Sequence, residues 1–534
     1  TMNGKCIVKL VGDSDEKVIL LLKDYMQHSN VKEARKLTDR AFTRNKDFID
    51  SHDYNGYKVT WSWYDLVHKF FIDFLEIRPL IQAIEKYKFH SIILIDFPSN
   101  YAKVLDLFFF EKNVQFKKNN SFFSNIKEFI FNLILLIVSL IFILFCSFKK
   151  GNKVATRTED YIYQNTKSDF RLNHLYKKYK ENDIQYIEFI RSTKIKNFFI
   201  NIFKRKRFAI YYTSIIYFVD LFTGKTKYSE QPEDFYQYVL YGYHHDNIVL
   251  NKSTFIFEKL FKLLKIDSLV LISFSSRSAH LSFAAKSLGI KTIGIMHGLQ
   301  QKDYAVYEFM QSYQGSKKIG CDVYGVWSEY YLEYFRKYSK ISTKDSFQFS
   351  GLLRPVKNMN QVSPFERISE NKIKVLLISE PLVSVMEIIP YIKRLLENND
   401  IEVAIKVRPM VRDSYYEKMK VKLPCTKNLD IFSGDINEVG KKFDVFVGSY
   451  STAVIEASLI GKISVLLDTK KWGDYLDIDT LISGQTLLVK NPEALCNHIF
   501  SRIENERSLN TIKLIKDRFF GGNRDGAQWI VDQL

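Results

Sequence analysis

The last third of the sequence consists of short apolar runs that alternate with helical patterns. The runs cover residues 374–379, 402–407, 429–432, 443–447, 464–467 and 486–489. Such runs are typical of strands that are buried on both faces of a parallel sheet. Their alternation with helices predicts a doubly wound, Rossmann-like domain, which we place at residues 373–508, followed by a helical tail at 509–534.

A second series of strand patterns lies upstream, at residues 269–274, 291–296, 323–327 and 347–350, with further patterns at 6–11, 90–96 and 154–158. An amphipathic helix is predicted for residues 16–28. Periodicity is lost over residues 356–372, which indicates a linker. The predicted fold is therefore α/β, with two Rossmann-like doubly wound domains facing a cleft, and the first of them spans residues 1–355.

Residues 129–146, FIFNLILLIVSLIFILFC, are the most apolar stretch, and lysines flank them on both sides. A helix that crosses a bilayer needs about 20 residues, so this run is at the lower limit. A complete crossing would also separate strands 90–96 and 154–158 if they share a sheet. We therefore predict an insertion at 121–150 that dips into one leaflet as a helix or tight helical hairpin. The alternative is a single span, with residues 1–120 as a separate domain.

The net charge of +18, from 78 Lys and Arg against 60 Asp and Glu, predicts a negatively charged partner. Residues 194–222 combine basic residues with Phe, Ile and Tyr, which favours contact with an anionic membrane surface. Zinc-finger spacing and RNA-binding signatures are absent, so nucleic acid is not an expected partner. No secretory signal precedes the first strand, and five scattered cysteines indicate a reducing compartment and no structural metal. We expect the cytoplasmic face of the cell membrane.

Polar residues stand where strands of the second domain end. They are Glu380, Lys406, Arg408, Ser449, Ser451, Thr452 and Glu456. Because the carboxyl ends of parallel strands meet at one edge of a sheet, these residues are predicted to form a nucleotide-binding crevice. The two cations would neutralise phosphate, the hydroxyls at a helix start would hydrogen-bond it, and the last carboxylate would accept from ribose. Neither a G-x-G-x-x-G nor a P-loop motif follows these strands, which disfavours nicotinamide dinucleotides and P-loop nucleotides.

Four short motifs resemble the GT-B glycosyltransferases of bacterial surface-polysaccharide synthesis. These are Lys-x-Arg-Pro at 406–409, Ser-x-Ser-Thr-x-x-x-Glu-Ala at 449–457, the linker opening at 351–355, and IGIMHGLQ at 293–300. The sequence is most similar to the group of sialyl-, polysialyl- and Kdo-transferases and CDP-glycerol glycerophosphotransferases, several of which have His-Pro where this chain has Arg408-Pro409. The resemblance implies a donor nucleotide on the C-terminal domain, an acceptor on the N-terminal domain, and chemistry without a metal or cofactor.

An inverting transfer by such an enzyme needs a general base on the acceptor side of the cleft. His297, at the end of a predicted strand, is the first candidate, and Asp13 and Asp169 are the others. Arg277 is a candidate anion-binding residue, and Arg354 in the linker is a further donor-phosphate ligand. For His297, Arg277 and Arg354, a purely structural role is the alternative.

The resulting hypothesis is a membrane-associated glycosyltransferase that moves a sugar from a UDP- or CMP-linked donor to a glycan or polyprenyl-linked glycan acceptor. One alternative is a CDP-polyol phosphotransferase of wall or capsule polymer synthesis. The other is a non-catalytic, membrane-bound scaffold of the same fold.

Overall fold

The computed structural model describes residues 6–12, 18–117, 122–159, 169, 171–191, 195–204, 209–354, 365–378, 383, 385–407, 423, 429–432, 436–449, 451–472, 488–509, 511–521 and 524–534. The strands are β1 (Ile7–Val11), β2 (Val18–Leu21), β3 (Asp53–Tyr54), β4 (Tyr57–Lys58), β5 (Ser91–Ile95), β6 (Asn113–Lys117), β7 (Lys153–Glu159), β8 (Tyr186–Arg191), β9 (Ile266–Leu271), β10 (Lys291–Ile295), β11 (Val323–Val326), β12 (Phe347–Phe349), β13 (Ile373–Ile378), β14 (Ile401–Lys406), β15 (Asp430–Phe432), β16 (Val445–Gly448), β17 (Ile463–Leu467) and β18 (Leu488–Val489).

The α-helices are α1 (Val31–Arg44), α2 (Lys46–Ser51), α3 (Tyr64–Ile84), α4 (Ser99–Phe108), α5 (Phe122–Ser147), α6 (Asn173–Glu181), α7 (Ile195–Phe199), α8 (Tyr212–Thr223), α9 (Phe235–Tyr241), α10 (His244–Leu264), α11 (Ala279–Ser287), α12 (Val306–Phe309), α13 (Glu329–Tyr338), α14 (Val385–Leu396), α15 (Ile436–Gly440), α16 (Thr452–Ile455), α17 (Leu495–Leu509), α18 (Thr511–Phe520) and α19 (Gly526–Gln533).

Strands β7 to β12 form the first of two parallel six-stranded sheets, in the order β12-β11-β10-β9-β7-β8. In chain order this is 6-5-4-3-1-2, so the direction of winding reverses between β7 and β9. Helices α6 and α19 cover one face, and α10 lies on the other. The sheet is thus doubly wound, as the apolar runs predict.

Strands β13 to β18 form the second parallel sheet, in the order β15-β14-β13-β16-β17-β18. This is the 3-2-1-4-5-6 order of a Rossmann fold, which reverses between β13 and β16. Every side chain of β16 and β17 is buried. The strand predictions for both sheets are confirmed to within three residues at each end, although β8 was not predicted. The α/β, two-Rossmann prediction of fold class is therefore correct.

The first 117 residues contribute a third, smaller sheet, ordered β2-β1-β5-β6, in which β1 pairs antiparallel with both neighbours. The amphipathic helix predicted for residues 16–28 is wrong, because Val18–Leu21 pairs in register with Ile7–Leu10 as an edge strand. Strands β5 and β7 lie in different sheets, so the condition under which a complete crossing would divide one sheet is not met.

The apolar insertion is one continuous helix, α5, of 26 residues, and not a helical hairpin. Among the described residues, it is the helix that is long and apolar enough to cross a membrane by length and composition. One of its faces packs on the protein through Leu135, Ser139, Ile143 and Cys146. These residues recur at helical spacing, so they form a single stripe.

The C-terminal helices return to the first sheet. Ala527 and Ile530 of α19 pack against Val270 and Ile293, and Asp525 forms a backbone bridge with Leu352. Gly351 allows the two backbones to approach this closely. Its φ is +77°, and a Cβ there would lie 2.1 Å from the carbonyl oxygen of Arg524. The end of the described chain therefore ties the two sheets together.

Candidate functional site

The carboxyl edge of the first sheet carries a cluster of charged side chains. Arg157 and Glu159 lie at the end of β7, His297 follows β10, and Arg354 follows β12. Ligands of open α/β sheets bind outside this edge, close to the point where the winding reverses. In this sheet that point lies beside β7, so the cluster occupies the expected crevice.

The ring of His297 is half-buried, and its Nδ1 atom is sealed from solvent with no hydrogen-bond partner among the described residues. Burial, with the positive charges of Arg171, Arg157 and Arg354, lowers the pKa of His297 to about 3, although Asp169 acts in the opposite direction. The imidazole is therefore neutral at physiological pH, and its surroundings are rich in positive charge. Such an environment favours an anionic ligand.

Asp169 is fully buried and is held by Arg171. The Nε and backbone N–H of Arg171 donate to Asp169 Oδ1, each at 3.0 Å, and its Nη2 donates to Oδ2 at 2.6 Å. Burial opposes ionisation, but these bonds hold the pKa of the Asp169 carboxyl below its usual value. Asp169 thus fixes a cation beside His297, and a catalytic role for it stays a prediction.

A second buried network joins β7 to α8. Arg157 forms an ion pair with Glu159, and its Nε donates to the hydroxyl of Tyr212 at 3.3 Å. That hydroxyl donates to the carbonyl oxygen of Arg277 at 2.8 Å. The backbone of the loop after β9 is thereby fixed, while the Arg277 side chain is exposed and approaches the carboxyl of Asp65.

In the second sheet the loop after β16 stands at the winding reversal. Ser451 is the N-cap of α16, and its side chain accepts from the N–H of Ala453 at 3.3 Å. The hydroxyls of Ser449 and Thr469 lie 3.3 Å apart, which links this loop to the one after β17. The predicted helix begins where expected, but α16 has only four residues and continues as a 3-10 helix over Glu456–Ile460. The helix dipole is correspondingly weak, so phosphate binding here depends on side chains.

The two sheets meet at this point. The backbone N–H of Leu299 donates to Thr452 Oγ1 at 3.2 Å, and a Cβ on Gly298 would lie 3.5 Å from the same oxygen. A second contact packs Tyr304 against Trp472, with ring centroids 4.7 Å apart. The loop that carries His297 therefore touches the start of α16 across the cleft.

The remaining predicted donor residues are only partly described. Lys406 is buried, and its Nζ donates to the carbonyl oxygen of Val407 at 3.1 Å. Glu456 is half-buried, in the turn after α16. Asp13, Glu380 and Arg408 lie outside the described residues. Of the predicted set, the structure brings together His297, Asp169 and Arg354, with Thr452 facing them.

Two polar residues of this region were not predicted. Asp65, at the start of α3, accepts from the hydroxyl of Ser276 at 2.9 Å, and burial raises its pKa. Gln300 is 4% exposed, and neither polar atom of its side chain has a partner among the described residues. Gln300 stands inside the IGIMHGLQ motif, so its position was visible in the sequence. Asp65 is distant from the site in sequence and carries no local signal.

In the described part of the chain, no group of three His, Cys, Asp or Glu residues is arranged to hold a metal ion. The candidate site is therefore defined by its arginines, by His297 and by the hydroxyls of the facing loop.

Two parallel doubly wound sheets with their carboxyl edges in contact across a cleft define a GT-B class of fold. No protein-family model matches the sequence, and no curated protein matches it significantly. The chain is similar to the solved structure of MurG from Acinetobacter baumannii, at 14% identity and a TM-score of 0.42, over 72% of this chain and 99% of that chain.

Two further similar structures contain nucleotides. Anabaena HepE in complex with UDP-glucose matches at 12% identity and a TM-score of 0.42, over 72% of this chain and all of that one (100%). The UDP-GlcNAc 2-epimerase of Methanocaldococcus jannaschii in complex with UDP-GlcNAc and UDP matches at 12% identity and a TM-score of 0.45. The match covers 71% of this chain and 99% of that chain. With TM-scores at this level, the assignment of the fold rests on the strand orders described above.

Proposed function

We propose that the protein is a glycosyltransferase that moves a sugar from a nucleotide-activated donor, UDP- or CMP-linked, to a lipid-linked glycan acceptor. The observation that carries the proposal is the cation-rich cluster around His297, which faces Thr452 across the cleft. Three arginines act on one neutral imidazole there, and the phosphates of a nucleotide donor supply the charge that such a cluster accepts.

The chemistry follows from this arrangement. The acceptor hydroxyl oxygen bonds to the anomeric carbon of the donor sugar, the bond from that carbon to the nucleotide phosphate oxygen breaks, and the hydroxyl proton passes to His297. Arginine side chains stabilise the charge that develops on the departing phosphate. The bound donor also brings negative charge close to His297, which raises the pKa of the imidazole towards the range of an effective base.

The acceptor and the location are part of the proposal. The exposed face of α5 is apolar from Phe129 to Phe145, which supports a position on an anionic membrane surface and an acceptor that is anchored there. A CDP-polyol donor remains the alternative substrate of the same crevice.

Calorimetric titration with UDP, CMP and CDP tests the proposal. We expect one nucleotide to bind, and Arg354→Gln to weaken its binding about tenfold or more, because a charge-assisted hydrogen bond contributes about 1.5–3 kcal/mol. Arg394→Gln is the matched control, since Arg394 is an exposed arginine on α14 that pairs with Glu397.

The outcomes separate the candidate functions. Absence of binding by every nucleotide would overturn both enzyme proposals and leave the scaffold. Turnover of a CDP-polyol, without turnover of any nucleotide sugar, would select the phosphotransferase.

A further inference from the structure

The outer face of α5 is apolar from Phe129 to Phe145. Ile130, Ile137, Ile141 and Leu144 are 49–65% exposed and recur at helical spacing, opposite the stripe that packs on the protein. Phe148, just beyond the helix, is 78% exposed. A contiguous apolar surface of this length on a folded chain marks an interaction site.

Two neighbouring helices extend this surface. Leu221 and Phe222 at the end of α8 are 51% and 82% exposed, and Phe255 and Leu263 of α10 are 52% and 55% exposed. Phe129 of α5 contacts Phe218 of α8, with ring centroids 5.8 Å apart. The three helices therefore present one combined apolar face.

Lysines border this face. The Nζ atoms of Lys149 and Lys259 lie over the exposed rings of Phe145 and Phe255, at 5.2 and 4.9 Å from the ring centroids. Residues 251–265 of α10 and its C-cap contain four lysines and one acid, Glu258, which accepts a hydrogen bond from Tyr54. Lysines beside exposed aromatics are complementary to the anionic headgroups and acyl chains of a lipid surface.

A cavity opens within this face between the three helices. Its volume is about 330 Å³, and it is lined by Leu136 of α5, Ile215, Phe218 and Phe222 of α8, and Lys252 and Ile256 of α10. The volume lies within the range of about 300–1,000 Å³ that is usual for ligand pockets. Apart from the ammonium of Lys252 and the hydroxyl of Thr223, which donates to Val219, the lining is apolar.

We propose that this cavity binds the hydrocarbon chain of a lipid phosphate from the membrane, with Lys252 paired to the phosphate at the mouth. The chain replaces water against the apolar wall, and the ammonium neutralises the headgroup. The apolar face around the cavity lies in one leaflet, so the lipid enters without leaving the bilayer.

The packing of the chain before α5 supports insertion into one leaflet. Apolar side chains between Val8 and Phe109 share a buried cluster with Leu250, Phe274 and Phe283, and Trp63 Nε1 donates to Asn247 Oδ1 at 2.7 Å. The segments on both sides of α5 therefore lie in one folded body. A complete crossing would place them on opposite sides of the membrane.

Helix α8 connects the cavity to the cluster around His297. Tyr212 at its start belongs to the Arg157 network, and Val219, seven residues later, lines the cavity. Seven residues of α-helix span about 10 Å. The cavity is thus about 10 Å along α8 from the Arg157 network, which agrees with the proposed acceptor, but the lipid proposal does not depend on it.

The test uses the full chain without nucleotide, so that its outcome is separate from that of the proposed function. Calorimetric titration with dodecyl phosphate is expected to show binding, which Lys252→Gln weakens about tenfold. Lys262→Gln is the matched control, because Lys262 is an exposed lysine on the same helix that does not line the cavity. Dodecanol, which lacks the phosphate, should bind both variants equally.

A second variant and a second pair of probes complete the design. Val219→Phe fills the cavity and should abolish binding, with circular dichroism as the check on folding. Farnesyl phosphate and lysophosphatidic acid distinguish an isoprenoid carrier from a bulk phospholipid as the source. Failure of all these probes to bind, or equal binding by the Lys252→Gln variant and its control, would overturn the proposal.

Discussion

At the scale of single residues, both carboxylate oxygens of Asp169, near the cleft, are occupied by hydrogen bonds from neighbouring residues. Both oxygens accept hydrogen bonds from Arg171, and Oδ2 also accepts from the N–H of Glu159 at 3.4 Å. The Asp169–Arg171 ion pair is largely buried, so replacing either residue alone leaves the other charge without a partner and destabilises the fold. Its contribution to stability is fully present above the ordinary carboxyl pKa and is lost as the pH falls through the lowered pKa of Asp169.

We expect Arg171→Met to lower the free energy of unfolding by about 3 kcal/mol at neutral pH, because it leaves a buried carboxylate without its cation. Adding Asp169→Asn should restore a large part of this loss. Urea unfolding followed by tryptophan fluorescence measures the free energy of unfolding of the single and the double variant. Lys177→Met is the control, since Lys177 is 72% exposed and pairs with Glu181 at 3.6 Å on the surface. Additive effects of the two substitutions would contradict the coupling.

The functional roles of the predicted site residues stay predictions, but the sequence located two of them at strand ends. His297 and Thr452 were identified because each follows an apolar run, and the structure brings their loops into contact. Asp65 was missed because its role arises from Ser276, which is distant in sequence and reaches it only through the packing of α3 on the first sheet. No local pattern encodes such a pair.

At the scale of elements, α5 is attached to the protein by a buried polar bond. Ser139 Oγ accepts from the backbone N–H of Tyr211 at 2.9 Å and donates to the carbonyl oxygen of Leu135 at 2.7 Å. Tyr211 stands beside the bridge between Ile210 and Phe189 at the edge of β8. Ser139 therefore fixes the orientation of α5 about its own axis relative to the first sheet.

Ser139→Ala should destabilise the docked helix by about 1–3 kcal/mol, because the Tyr211 N–H is left buried without an acceptor. Hydrogen exchange in the detergent-solubilised protein measures the effect, as faster exchange of amides at Tyr211 and along α5. In the control, Ser147→Ala, the lost hydroxyl bonds an exposed carbonyl of the same helix, so exchange should not change. Equal exchange in both variants would refute the docking role of Ser139.

Elements were predicted best where both strand faces are buried. Short, continuous apolar runs identified the strands of both parallel sheets with the exception of β8. The pattern failed at residues 16–28, where the spacing of apolar residues fits a helix but Val18–Leu21 pairs with β1 instead. Long-range pairing decides such short segments, and it is not visible in local spacing.

At the scale of the whole molecule, two buried histidines, His68 and His280, and two half-buried ones, His297 and His498, make folding sensitive to acid. Burial lowers the pKa of His280 and His297 to about 3, and of His68 and His498 to about 4. An unfolded histidine titrates near 6.5, so the unfolded chain binds more protons between these values. The stability these neutral rings contribute is fully present above about pH 6.5 and is lost as the pH falls towards the folded-state values.

We expect the melting temperature to fall between about pH 7.5 and pH 5, with His280 alone contributing about 2 kcal/mol of the loss at pH 5. His280 lies buried between α10 and α11, hydrogen-bonded to Ser253. His280→Gln should therefore flatten the pH dependence measured by thermal unfolding. Asn182→Gln, which changes an exposed, uncharged side chain that donates to the carbonyl oxygen of Lys178, should leave the slope as it is. A melting temperature that does not change over this interval would contradict the expectation.

The return of α19 to the first sheet has a consequence for biosynthesis. A ribosome completes all six strands of that sheet, and the whole of the second domain, before it reaches Gly526. Until then the apolar side chains that α19 covers, among them Val270, Ile272 and Ile293, remain open to water on the nascent chain. The core of the first sheet therefore closes only after α19 has been synthesised, and during that interval its exposed apolar face favours aggregation of the emerging chain.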